Sequence, residues 1–195
     1  MKFDIILAGV GGQGVLSLSS IIATAALDEG LHVKQSEVHG MAQRGGAVTA
    51  HLRLSDRPIE SDLVPLGTAS LILSLEPLES LRYLEFLGPD GAVVTATQPV
   101  SNIDDYPALD ELTAAIRRLP RAVLVDAAGI ARHAGLPQAT NMVMAGAASG
   151  LLPIRVSTIE RALRTRFARK GATVIDQNLA AFRAGQEVAA CTGRP

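Results

Sequence analysis

A short apolar run, Ile5-Ile6-Leu7-Ala8, breaks into a glycine cluster, Gly9-Val10-Gly11-Gly12-Gln13-Gly14. A helical pattern opens directly behind it at Val15-Leu16-Ser17-Leu18. A buried parallel strand that enters a helix through so tight a turn is the start of an α/β fold. The glycines at 9, 11 and 14 fit the G-x-G-x-x-G spacing, in which missing side chains let a backbone approach a pyrophosphate. The free N–H groups of a helix start favour an anion there. The same glycines serve equally as a tight turn with close helix-on-strand packing, and spacing alone does not choose between the two.

The chain of 195 residues suits one α/β domain with a helical C-terminal section, over about residues 139–192. Hydrophobic residues make up 48% and aromatics only 3%, so the core is aliphatic and alanine-rich. A net charge of −1 argues against a broadly basic nucleic-acid surface. The single cysteine, Cys191, excludes an internal disulfide framework and any four-thiolate zinc or iron–sulfur site made by this chain alone. Met1-Lys2-Phe3-Asp4 leads straight into a strand without a secretory pattern, and no apolar run reaches membrane-spanning length. A cytoplasmic protein is expected.

Val15, Leu18, Ile22 and Ala25 recur at helical spacing until Asp28-Glu29-Gly30 stops the helix. Leu31–Ser36 reads as a second strand, completing a β-α-β unit, with Glu37 the nearest acidic residue for a ribose contact. No second crossover helix follows. Glu37, His39, Gln43 and Arg44 sit among glycines, ending at Gly45-Gly46, before an alternating strand from Ala47 to Leu54. So short a connection predicts an antiparallel or displaced strand in an otherwise parallel, Rossmann-like sheet with helices on both faces. The polar residues suit a site-building loop, although an exposed Glu37–Arg44 pair would contribute little.

Further strands are expected at 69–75, 92–97 and 122–126, and helices begin near Glu76-Pro77, Leu109 and Ile130. Asp126 reads as a helix cap rather than a ligand contact. Gly146 and Gly150, four apart, permit close backbone approach within the domain or against another subunit. Arg161, Arg164, Arg166, Arg169 and Lys170 read as a solvated helix face. A last helix runs from about Val174 to Ala190.

Together, Gly9–Gly14, Ser36-Glu37-Val38-His39-Gly40-Met41-Ala42-Gln43-Arg44-Gly45-Gly46-Ala47-Val48, Glu76-Pro77-Leu78-Glu79 and Asn141-Met142-Val143-Met144-Ala145-Gly146 resemble one family. It is the gamma subunit, or gamma-type domain, of 2-oxoacid:ferredoxin oxidoreductases. The Glu37–Gly46 stretch most resembles the beta subunit of indolepyruvate ferredoxin oxidoreductase. Ala42 departs from a more usual serine. The resemblance implies oxidative decarboxylation of a 2-oxoacid with thiamine diphosphate, transfer to coenzyme A, and electrons passed through iron–sulfur clusters to ferredoxin. One cysteine and the lack of a Gly-Asp-Gly signature place the clusters and thiamine diphosphate on a larger partner subunit. No metal site or catalytic residue is expected on this chain alone.

Under that reading Gly9, Gly11, Gly12, Gln13 and Gly14 offer donors to a phosphate of coenzyme A or to the partner. Arg44 supplies a fixed charge for a phosphate or carboxylate. Glu37, His39, Gln43, Gly45 and Gly46 shape the loop, and Asn141 adds a polar contact at a helix start. Two rivals stand beside it. One is a non-catalytic scaffold that docks the thiamine-binding chain; the other is a free-standing nicotinamide-dependent oxidoreductase.

Overall fold

The computed structural model describes residues 1–39, 45–101 and 103–191. Six strands form one sheet in the order β2-β3-β1-β4-β5-β6: β1 (Lys2–Val10), β2 (His32–His39), β3 (Ala47–Ser55), β4 (Ala69–Ser74), β5 (Leu87–Ala96) and β6 (Ala122–Val125). Strand β3 runs antiparallel to both neighbours, β1 and β2, while β1, β4, β5 and β6 pair in parallel. This is the one odd strand that the short Glu37–Gly46 connection requires. β1 and β2 still point the same way, but β3 lies between them, so they form no adjacent β-α-β pair.

Strand alternation divides the core. Ile5 and Leu7 of β1 join Leu71 and Leu73 of β4 and Val94 of β5 in the larger cluster. That face is covered by α1 (Val15–Asp28), α4 (Ala127–His133), α5 (Thr140–Ser149), α6 (Val156–Phe167) and α7 (Ala172–Cys191). Ile6, Ile72 and Val93 point the other way, toward Val64, Ala69 and residues around α2 (Pro77–Arg82) and α3 (Leu109–Arg117). The middles of the central strands are continuous apolar runs because both faces are covered.

Local chemistry sets the helix ends. Gly30 takes φ +78° after α1. Its N–H donates to Leu27 O at 2.9 Å and the Leu31 N–H to Ala26 O at 3.1 Å, the paired bonds of a Schellman stop. Pro77 occupies the first turn of α2, where its missing N–H is no loss. Asp126 accepts from the Gly129 N–H at 2.9 Å and caps α4.

Three expectations need correction. Strand β2 continues to His39, so Glu37 and His39 belong to a paired strand, not to the loop. Strand β5 begins at Leu87, with Gly88–Gly91 inside it, because the ladder with β4 shifts register between Ala69 and Leu71. A Cβ on Gly91 would stand 2.7 Å from Ala69 O, so these glycines mark close backbone approach rather than a chain break. Finally, Gly150 has open space around it, and the contact of Gly146 is with α7 instead. A Cβ at Gly146 would lie 1.8 Å from Phe182 O, and one at Gly185 would lie 2.0 Å from Val143 O.

Candidate functional site

The parallel strands β1 and β4 end side by side, and the start of antiparallel β3 lies at the same edge. Leaving β1, the chain turns through Gly12 at φ +101° and Gly14 at φ +88°, both in the left-handed region. Gly14 is the N-cap of α1 and takes no side-chain cap, and no acidic residue occupies the first turn of that helix. The first turn of α1 therefore carries no acidic side chain of its own to compensate the positive end of the helix dipole. Gly12 is exposed, with open space where a Cβ would point. Gly9 is packed: a Cβ would stand 2.8 Å from Val15 Cγ2 and 2.9 Å from Gln13 Oε1.

The Gln13 side chain turns inward. Its Oε1 accepts from the Val10 N–H at 2.7 Å and its Nε2 donates to Leu75 O at 2.9 Å. The Gln13 N–H donates to Val10 O at 3.1 Å, closing the turn. Asn141, near the start of α5, reaches Gly14 O at 3.4 Å and lies against the position a Gly14 Cβ would take. The fold thus brings Asn141 to the glycine turn across 127 residues of sequence.

The polar segment meets the same edge. The Gly11 N–H donates to Gly46 O at 2.8 Å, joining the glycine turn to the entrance of β3. Gly45 takes φ +82° just before it. On β2, Glu37 stands opposite Ala50 and His39 opposite Val48, and Glu37 and the neighbouring Val38 are exposed. Gln43 and Arg44 lie outside the described residues, as do the side chains of His39 and Cys191. With β3 interposed, the end of β2 is two strand spacings from β1, about 10 Å. Glu37 therefore does not stand beside the glycine turn as a ribose-binding acid would.

A buried hydrogen-bond centre adjoins this edge that sequence reasoning gave no role. Glu76, 1% exposed, follows Leu75 and caps α2 by accepting from the Glu79 N–H at 2.8 Å. Its other oxygen accepts from the Val100 N–H at 3.3 Å and from the Tyr106 hydroxyl, holding the segment after β5 against α2. Burial, then the bond to Glu76, pushes the Tyr106 phenol above its ordinary range. Burial also raises Glu79, partly opposed by Arg82, whose Nε lies 3.0 Å from its carboxylate. An acid directly before a helix-starting proline was the available signal for the cap. Nothing local announces Tyr106.

The arginine-rich face of α6 is exposed. Arg161 reaches Asp28 at 3.3 Å, and on the same helix Glu160 meets Arg183 at 2.8 Å.

A mostly parallel sheet with one inserted antiparallel strand, and a glycine turn beside that insertion, define the chain's class. The chain belongs to the pyruvate ferredoxin/flavodoxin oxidoreductase family, whose model matches residues 4–188. Among curated relatives, the indolepyruvate oxidoreductase subunit IorB of Archaeoglobus fulgidus is 39% identical over 204 residues, spanning 100% of this chain and 98% of that protein. The pyruvate oxidoreductase subunit PORC of Thermotoga maritima superposes with a TM-score of 0.68 at 25% identity, covering 96% of each chain. In the 2-oxoglutarate:ferredoxin oxidoreductase of Magnetococcus marinus, solved with 2-oxoglutarate, coenzyme A and succinyl-CoA bound, the same fold recurs. There the TM-score is 0.78 at 23% identity, over 100% of this chain and 32% of that longer one.

Proposed function

We propose that this chain is the small accessory subunit of a 2-oxoacid:ferredoxin oxidoreductase of the indolepyruvate, or aryl-pyruvate, type. In this reading it completes the mouth of an active site whose thiamine diphosphate and iron–sulfur clusters sit on the larger subunit. With one cysteine in its sequence, the chain does not meet the thiolate requirement of such a cluster. Its own contribution is an anion-receiving edge for coenzyme A: the uncapped start of α1, the backbone N–H groups of Gly12 and Gly14, and the Arg44 guanidinium, the Gly11 N–H being already engaged by Gly46 O. The bond from Gly11 N–H to Gly46 O carries this reading, because it joins the glycine turn to Gly46, which follows Arg44 by two residues in the sequence.

The test is Arg44→Ala in the assembled complex. Loss of one charged contact of about 1.5–3 kcal/mol raises the KM for coenzyme A by about 10- to 150-fold while the subunits stay together. An unchanged KM removes Arg44 from the site. Val38, 65% exposed at the same edge, favours the second reading, a scaffold that only docks the larger chain. That reading predicts disassembly of the complex by Arg44→Ala, with no separate effect on coenzyme A. The nicotinamide reading fits less well, since β3 displaces Glu37 and the Gln13 side chain bridges β1 and β4 where a dinucleotide would lie.

A further inference from the structure

In an open α/β sheet, the crevice between two parallel strands whose following helices pass to opposite faces is where ligands enter. Here that crevice lies between β1, which runs into α1 over the larger core, and β4, which runs into α2 over the smaller one. Gln13 occupies it.

We infer that Gln13 is a positioning residue: its amide closes the crevice and pins the glycine turn to β4, so that only the outer rim of the turn receives an anion. Three observations converge. Its Oε1 accepts from the Val10 N–H at 2.7 Å and its Nε2 donates to Leu75 O at 2.9 Å, so one side chain spans the ends of both strands. The Leu75 N–H donates to Ala8 O at 2.9 Å, fixing the carbonyl that the amide reaches. Gly9 leaves the room, since a Cβ there would stand 2.9 Å from Gln13 Oε1 and 3.2 Å from Leu75 Cβ. Each end of the amide thus has an assigned partner. Asn is one methylene too short for this span. Glu keeps the acceptor for Val10 but sets a carboxylate against the Leu75 carbonyl.

The bond to Leu75 also leads to the next segment. Leu75 precedes Glu76, whose carboxylate holds Glu79 and Val100 N–H and the Tyr106 hydroxyl. Gln13 therefore joins the glycine turn to the segment after β5 as one rigid rim.

The inference rests on the proposed coenzyme A contact, so its test pairs Gln13→Ala and Gln13→Glu with Arg44→Ala. Two readouts are taken: amide hydrogen exchange at Val10 in the full chain, and steady-state kinetics of the complex with coenzyme A varied. For Gln13→Ala the expected result is Val10 exchange at least about tenfold faster, with KM for coenzyme A about tenfold higher and kcat within about twofold. Gln13→Glu retains Val10 protection yet still raises KM, because the link to Leu75 is gone. It also serves as the milder variant should alanine impair folding. A raised KM in Gln13→Ala without faster Val10 exchange overturns the inference in favour of direct ligand contact. Faster exchange with unchanged KM, while Arg44→Ala raises it, reduces Gln13 to a purely structural role. If neither Arg44→Ala nor Gln13→Ala moves the KM, the coenzyme A reading itself falls.

Discussion

At Gly146 a single methyl group decides whether α5 and α7 can meet. The position of its missing Cβ lies 1.8 Å from Phe182 O, and Gly185 faces Val143 O across the same contact at 2.0 Å. Backbone cannot yield as a flexible side chain does. Gly146→Ala and Gly185→Ala are each expected to destabilise by about 3 kcal/mol or more, the upper end of overpacking, seen as a lower denaturant midpoint. Gly150→Ala, in open space at φ −71°, is expected to be neutral or stabilising by up to about 1 kcal/mol. Comparable losses in all three would refute the assignment. The sequence already announced close approach here through its run of small residues. It did not reveal the partner, because Gly185 sits in a helix with no comparable glycine spacing. The same limit applies to Gln13, whose residue type suits a ligand contact or an internal tie alike. Only the placement of Leu75, 62 residues away, separates them.

At the scale of elements, the loop between β3 and β4 shows how polar groups anchor an apolar stretch. Arg53 donates from Nη1 to Ser61 O at 3.0 Å and to Leu63 O at 3.1 Å while pairing with buried Asp4 at 3.0 Å. His51 Nδ1 accepts from the Val64 N–H at 3.1 Å, and its ring meets Phe86 edge-on. Burial holds the His51 imidazole below its ordinary value of 6.5, with nearby Asp62 opposing. The folded chain therefore binds this proton less readily than the unfolded chain. Stability from this group is full above 6.5 and is lost as pH falls from 6.5 toward the folded value. The slope is at most about 1.4 kcal/mol per pH unit. His51→Asn retains an acceptor for Val64 but does not titrate, so the difference between the two proteins' stability–pH curves isolates the group. Identical curves would refute the role. Alternating hydropathy made β3 legible, and the short connection made its odd direction legible. The end of β2 was misread because Glu37 and His39 carry polar side chains on an edge strand, where outward polarity and a loop look the same.

For the whole molecule, a mostly parallel sheet with one antiparallel strand and helices on both faces was readable in advance, as was the family, through the Glu37–Gly46 stretch. The order β2-β3-β1-β4-β5-β6, which puts β3 between β1 and β2, and the two unequal cores were not. The buried links among Gln13, Leu75, Glu76 and Tyr106 were not, since each joins segments with no shared local pattern. Among the described residues no helix is long and apolar enough to cross a membrane. In the proposed function this chain lends shape and cationic contact to chemistry whose reactive groups reside on another polypeptide. Oxoacid-dependent reduction of ferredoxin, or of a viologen dye, measures it directly when followed for the purified chain, for the larger subunit, and for the two together. The chain alone is expected to be inert and colourless, with coenzyme A-dependent turnover only in the mixture. Turnover or an iron–sulfur spectrum from this chain alone would contradict it.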